Sequence, residues 1–381
     1  MSLHLSPRID TTGWARKKRL AVKAWAEAIS RIRLFVEKID SASNIYINLD
    51  ITVDDLKARI DATPRLNFVH VDHSGVSQDK SDTIITLARK DPETKKKLIV
   101  LANAGFHLYV LREGHSSMVR HRRIKTLWRN VISGDILVDD NDIFYKIETA
   151  EGAGEPRLLV VFSAIAAQIY TPSLMRHFEQ NFATASKYIP KNTHILRIAD
   201  FGGVVGSFYL NSFALPQHEE HIHARIAATA ANLGVSDDNI VLYGNSKGGT
   251  AAAFYAMRHG WRGVAVDPIL SDEHYVKAHR DLHFTVGTAA ATKQERFAEI
   301  VQTVHPNTRL SVICSTRSPQ YKFIEPTLIE RFRDRFVFLN SENIEIKAHP
   351  DVGRQTLPHA LSQMNRHLAG IDAPGGFYTV W

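Results

Sequence analysis

From residue 157 to the end of the chain, short apolar runs alternate with stretches of helical pattern. "RLLVVFSA", "THILRIAD", "NIVLYGN", "RGVAVD" (262–267) and "RLSVICS" (309–315) are strand-length and carry no polar face. A strand without a polar face needs cover on both sides, which a parallel sheet wrapped by crossover helices provides. Helical stretches over 173–188, 217–233, from about 247, over 325–334 and from about 356 supply that cover, and "FVFL" and "IEIKAH" add two later strands. The pattern predicts an α/β fold: a doubly wound, mostly parallel sheet over 157–381. The long segment 268–308, rich in His, Lys and Glu, interrupts the alternation and reads as a helical cap insertion that shapes a substrate pocket.

Residues 1–150 have a different rhythm. Trp14, Ala21, Trp25, Ile29, Ile32, Val36 and Ile39 recur at mostly three- or four-residue steps, which predicts one amphipathic helix over 12–39. The cluster Arg16–Arg19, "RKKR", lies near its start; such a helix docks on its own domain or rests on an anionic membrane face. After residue 44, "NFVHVDH", "TIITLAR", "KKLIVLA", "FHLYVLR" and "DIFYKIET" read as successive short strands. Strands in succession predict a separate N-terminal α+β accessory domain over 1–150, joined through "EGAGEP" at 151–156.

Composition removes several classes. With 44% hydrophobic and 23% charged residues among 381, the chain can bury a large core and is not generally disordered. One cysteine, Cys314, excludes an internal disulfide framework and a cysteine-rich zinc site. There is no apolar run of about 18 residues to suggest a transmembrane helix, and "MSLHLSPRID" lacks the apolar core of a signal peptide. A cytoplasmic protein is the expectation, with no cofactor or metal implied. The formal charge of +7 favours anionic partners. The stretch "VRHRRIKTLWR" (119–129) could hold an acidic glycan or the phosphates of an acyl-coenzyme A donor. An isolated basic stretch is more often a solvated face, so nucleic acid is not the expected partner. Oligomeric state is not written in these features.

The chemistry concentrates in "IVLYGNSKGGTAAAFYA". Gly244-Asn245-Ser246-Lys247-Gly248 fits G-x-S-x-G between a strand and a helix, the pattern of a nucleophile elbow. Side chains two positions either side of the serine would collide with the elements meeting there, so glycine fills both. The turn lifts the serine hydroxyl clear of the sheet and aims the first helix amides at a developing anion. In such folds an acid and then a histidine follow in the chain. His349, at the end of the last strand, is the expected base, with His359 as the rival inside the final helix. The acid stays open among Asp267 at the end of "GVAVD", Glu325, or none in a Ser–His dyad. The loop Ser315–Tyr321, where an acid would ordinarily stand, has no carboxylate. Backbone N–H groups of Lys247 and of Ser163 or Ala164 are expected to form the oxyanion hole. Asp200 and Tyr209, from "DFGGVVGSFYLNS" on the same sheet edge, and Tyr321 are expected to line the substrate pocket.

The segments "LLVVFSAI", "ILRIADFGGVVGSFYLNS" and "IVLYGNSKGGTAAAFYA" resemble capsular polysaccharide biosynthesis proteins of the XcbB/CpsF type, within the wider α/β-hydrolase superfamily. The resemblance covers about 157–265 well and the last third loosely. It implies Ser246 as nucleophile, His349 as base and a role in bacterial surface-glycan metabolism. It also leads one to expect an acid near Ser318, where this chain departs. The reading is a serine-dependent acyl hydrolase or O-acyltransferase acting on a glycan ester, or else a non-catalytic scaffold of the same fold in capsule assembly or export.

Overall fold

The computed structural model describes residues 43–381; the helix expected over 12–39 and its basic cluster lie outside them. Two sheets organise the described chain. The smaller has the order β1-β2-β4-β3, from β1 (Asn44–Asn48), β2 (Phe68–Asp72), β3 (Phe106–Arg112) and β4 (His115–Arg120). β1 and β2 are parallel, while β4 runs antiparallel to both β2 and β3. Helices Val53–Asp61, Ile84–Lys90 and Pro92–Asn103 complete this unit.

Two of those helices correct the strands expected at "TIITLAR" and "KKLIVLA". Thr83 forms a capping box with Thr86, and Asp91 caps the next helix with Pro92 in its first turn. Ile84, Ile85, Leu87 and Ala88, then Leu98, Leu101 and Ala102, turn their apolar faces into the core of the small unit. The start signals and the packing outweigh the β-branched composition.

The larger sheet has nine strands in the order β13-β12-β11-β10-β9-β7-β8-β6-β5. These are β5 (Leu137–Val138), β6 (Phe144–Glu148), β7 (Arg157–Phe162), β8 (Thr193–Ile198), β9 (Ile240–Asn245), β10 (Arg262–Val266), β11 (Arg309–Cys314), β12 (Val337–Ser341) and β13 (Gly376–Val380). All neighbours from β8 across to β13 are parallel; β6 runs antiparallel to β8, and β5 to β6. The fold is α/β, α/β-hydrolase-like and doubly wound. "DIFYKIET", expected with the N-terminal strands, is β6 and extends this larger sheet instead, with Tyr145 opposite Ile198.

Alternation along β7 shows why both faces are apolar. Leu158, Val160 and Phe162 enter one core, while Leu159 and Val161 enter the core on the opposite face. The helix Lys247–His259 lies on the first face with Phe254, Tyr255 and Met257 sealed from solvent. Each such side chain contributes roughly 1.5–3 kcal/mol, so this helix is pinned against the strand that precedes it.

Two further expectations are corrected. The helix expected over 173–188 is two short 3-10 turns, Leu174–His177 and Ala185–Lys187. Phe182 has a φ of 51°, and the Arg197 guanidinium takes the carbonyls of Asn181 and Phe182, so these groups cannot extend a helix. "IEIKAH" is a turn: Ile344 faces solvent, and the Asp351 carboxylate accepts from the amides of Lys347 and Ala348 to start a helix at His349. The "GFYTV" strand, β13, was not anticipated.

The cap insertion carries the helices Glu273–His279 and Lys293–Ile300. It is tied to the small unit. Arg89 donates to the carbonyls of His279 and Arg280, at 2.9 Å each, and Lys95 pairs with Asp281 at 2.8 Å. Phe284 of the cap and Val204 and Val205 of the loop after β8 join the small unit's core.

Candidate active site

Ser246 stands between β9 and the helix Lys247–His259 with φ 56° and ψ −117°. A serine held there stores strain of about 1–3 kcal/mol. Its surroundings enforce the corner. The Ser246 amide donates to the Val266 carbonyl at 2.9 Å, and the Thr250 amide donates to the Ser246 carbonyl at 3.0 Å. A Cβ on Gly244 would strike the backbone of Gly248, one on Gly248 the Phe162 carbonyl, and one on Gly249 would come 2.7 Å from the Val266 carbonyl. The glycines around the serine are therefore demanded by close backbone approach.

His349 opens the helix His349–Gln355, which packs on the elbow so closely that a Cβ on Gly353 would hit the Asn245 side chain. Its Nε2 lies 2.7 Å from Ser246 Oγ, and its Nδ1 lies 2.7 Å from Asp267 Oδ2. A carboxylate can only accept, so Nδ1 carries the proton and Nε2 is free to accept from the serine hydroxyl. Asp267 is fully buried at the end of β10, with φ 40°. The Ser318 hydroxyl donates to the same Oδ2 at 2.5 Å. So the loop in which an acid was expected supplies a hydroxyl that grips the acid of the neighbouring strand. Glu325 instead accepts from the Tyr321 hydroxyl at 3.1 Å, and His359 lies 3.3 Å from the Trp381 carbonyl. Both are thereby engaged away from Ser246 and His349.

The expected pocket residues have other neighbours. Asp200 is fully buried and accepts from the amides of Ser207 and Phe208 at 2.9 Å each. It pairs with Lys247 Nζ at 3.2 Å, and His218 Nε2 is 3.6 Å from its other oxygen. Burial alone would raise its carboxyl, but the Lys247 ammonium and these donors hold it well below the usual carboxylate range. Tyr209 is also fully buried; its hydroxyl donates to the Ile198 carbonyl at 2.8 Å. Asp200 and Tyr209 are thus a layer beneath the elbow rather than a lining of the pocket, because the loop after β8 folds back under the helix. Tyr321, part-exposed, has its hydroxyl on Glu325.

The expected oxyanion amides are unequal. Lys247 N–H, in the first turn of its helix, has no intrahelical acceptor. Ser163 N–H donates to the Tyr209 hydroxyl oxygen at 2.6 Å, and Ala164 N–H donates to Asn181 Oδ1 at 2.5 Å. Both are already committed to side chains, which the sequence could not show.

The cap supplies a neighbour that the sequence did not single out. The Tyr275 ring stands edge-on to His349, centroids 6.3 Å apart, and lies tilted against His283 with centroids 3.9 Å apart. Burial, then the Asp267 charge, pushes the Tyr275 phenol up. Val276 and Lys277, next on the same helix, line a cavity of about 560 Å³ with Thr285, Ala290 and Gln294; none of Ser246, Asp267 or His349 borders it. Among the described residues no group of three or more His, Cys, Asp or Glu is arranged to hold a metal, and no helix is long and apolar enough to cross a membrane. In the basic stretch, Arg122, Arg123 and Arg129 are exposed, while Lys125 pairs with Asp142 at 2.8 Å.

No family model and no curated protein matches the chain in sequence. Among solved structures, the chain is similar to the glycosylation-associated protein complex (Gap123) from Streptococcus agalactiae, at 14% identity and a TM-score of 0.48. That match covers 68% of this chain and 51% of the other, so this chain spans about half of it. A capsule O-acetyltransferase of Neisseria meningitidis serogroup A matches at 11% identity and TM-score 0.45, covering 61% of this chain and 93% of that one. The fluorophosphonate-binding serine hydrolase F of Staphylococcus aureus matches at 13% identity and TM-score 0.44, covering 60% and 96%.

Proposed function

We propose that the chain is a serine-dependent acyl hydrolase or O-acyltransferase. Ser246 acts as nucleophile, His349 as general base and then acid, and Asp267 orients and stabilises the imidazole. The observation that carries this reading is the unbroken series Ser246 Oγ, His349 Nε2, His349 Nδ1, Asp267 Oδ2, with both links at 2.7 Å, on a serine at a strained strand-to-helix corner.

The steps follow from the geometry. Ser246 Oγ adds to the carbonyl carbon of an ester as its proton passes to His349 Nε2. The carbonyl π pair moves onto oxygen, where Lys247 N–H donates to it. Collapse restores the carbonyl and breaks the bond to the alcohol oxygen, which takes the proton from His349. The acyl group is now on Ser246. A second nucleophile, deprotonated by His349, removes it: water in a hydrolase, a sugar hydroxyl in a transferase. The segments that resemble capsule biosynthesis proteins support a glycan, or a related ester of bacterial surface polysaccharide, as the acyl donor or acceptor. An acyl-coenzyme A donor fits the transferase form.

A fluorophosphonate probe incubated with the purified protein tests this. Labelling at Ser246, lost in Ser246→Ala, is the expected result. A folded protein that resists the probe overturns the proposal and favours the scaffold role.

A further inference from the structure

An oxyanion formed at Ser246 is stabilised by donors aimed at it, and the two amides expected to join Lys247 N–H there are both engaged by side chains. Ser163 N–H is spent on Tyr209, deep in the core. Ala164 N–H is spent on the Asn181 side chain. The chain places that second pair near the elbow. Phe162 lies opposite Gly244 at the end of the β7–β9 pairing, and its carbonyl would be 2.4 Å from a Cβ on Gly248, so the residues that follow it leave the sheet beside the helix that Ser246 precedes.

Of the two carboxamide atoms only the oxygen accepts, so Asn181 turns Oδ1 to Ala164 N–H and its Nδ2 away. Asn181 is half-buried, and Nδ2 finds no acceptor among the described residues. The residue that presents it is well anchored. Arg197 donates to the carbonyls of Asn181 at 2.7 Å and of Phe182 at 3.1 Å, and its Nε donates to Glu148 at 2.7 Å. That guanidinium is buried. The carboxamide is therefore held at its oxygen by Ala164 and at its backbone by Arg197, with two N–H bonds left over.

We propose that Asn181 is a further catalytic residue whose Nδ2–H group is the second oxyanion donor, beside Lys247 N–H. This rests on the reading of Ser246 as nucleophile. As the Ser246 Oγ–carbon bond forms, the π pair becomes a lone pair on oxygen and both donors bond to it. They release it when the leaving-group bond breaks and the carbonyl returns. Ala164 N–H serves as the brace that aims the carboxamide, not as a donor to substrate.

The test compares full-length wild type, Asn181→Ala and Asn181→Asp for fluorophosphonate labelling rate, p-nitrophenyl acetate turnover and melting temperature. Asn181→Asp keeps an oxygen for Ala164 and nearly the same volume but removes the Nδ2–H donors. Both variants are expected to lose about 10²–10³ in kcat, with KM little changed, while Asn181→Asp melts close to wild type. Wild-type rates in Asn181→Asp would reduce Asn181 to a structural brace and overturn the proposal. A faster Asn181→Ala would make the side chain a plug over Ala164 and overturn it equally. If the aspartate variant fails to fold, Asn181→Ala decides alone. A wild-type protein that never labels at Ser246 sinks the nucleophile and this donor together; labelling with unchanged variants sinks only the donor.

Discussion

Two bonds converge on one oxygen of Asp267: His349 Nδ1 at 2.7 Å and the Ser318 hydroxyl at 2.5 Å. Two donors hold that oxygen in place, and the imidazole bonded to it is kept in the tautomer that can take a proton from Ser246. His349→Ala is therefore expected to cut turnover by about 10³-fold or more. His359→Ala, whose imidazole lies against the Trp381 carbonyl, should leave turnover near wild type. Steady-state kinetics on the two variants check both halves. At this scale the serine was legible because its neighbours must be glycine, and His349 because position narrowed nineteen histidines to two candidates. The acid stayed open because Asp267 and Glu325 look alike in sequence; only the path of β10 puts one of them beside the imidazole. Ser318 and Asn181 carried no signal, since what each does depends on an atom brought from another strand or loop.

Elements were legible where composition and period agreed. β7 to β11 are apolar on both faces and could only be buried strands. The helices Ile84–Lys90 and Pro92–Asn103 looked like strands because their β-branched runs are short; Thr83, Asp91 and Pro92 held the better information. β6 could not be assigned to the right sheet from its own residues, because its partner β8 lies about fifty residues on. The elbow itself rests on a second element, the loop after β8, through the buried pair of Lys247 with Asp200 at 3.2 Å. Removing one partner strands the other charge in the core, at a cost of about 3–5 kcal/mol. Lys247→Met or Asp200→Asn is expected to lower the melting temperature by roughly 10 °C. The double change Lys247→Met/Asp200→Leu should recover part of it. Thermal melts of the three variants check this.

Across the whole molecule, the two sheets meet at a knot of imidazoles. His107 of β3, His121 and His177 crowd Phe201 and one another, with His107–His177 centroids 5.2 Å and His107–His121 centroids 5.4 Å apart. His107 Nε2, His121 Nδ1 and His177 Nε2 are buried without a partner. Burial first, then neighbouring cations, holds His107 and His177 well below the ordinary imidazole range, and His121 is lowered to about 4. Their folded pKa values lie below the unfolded one of about 6.5. Above that pH both states are neutral and nothing changes. Below it the unfolded chain binds protons that the folded chain refuses, at roughly 1.4 kcal/mol per pH unit for each histidine. Melting temperature should therefore fall steadily from pH 6.5 toward 4, and His107→Phe should flatten that fall. A melt series in matched buffers checks it.

The anchoring of the cap to the small unit has one more consequence. Arg89 and Lys95 fasten the end of the helix that carries Tyr275, and Phe284 is sunk into a foreign core. Any outward swing of this segment would have to break those ties and expose Phe284. Under the proposed function, an ester would reach Ser246 past a cap held on its far side, and a polymer would present its acyl group from outside.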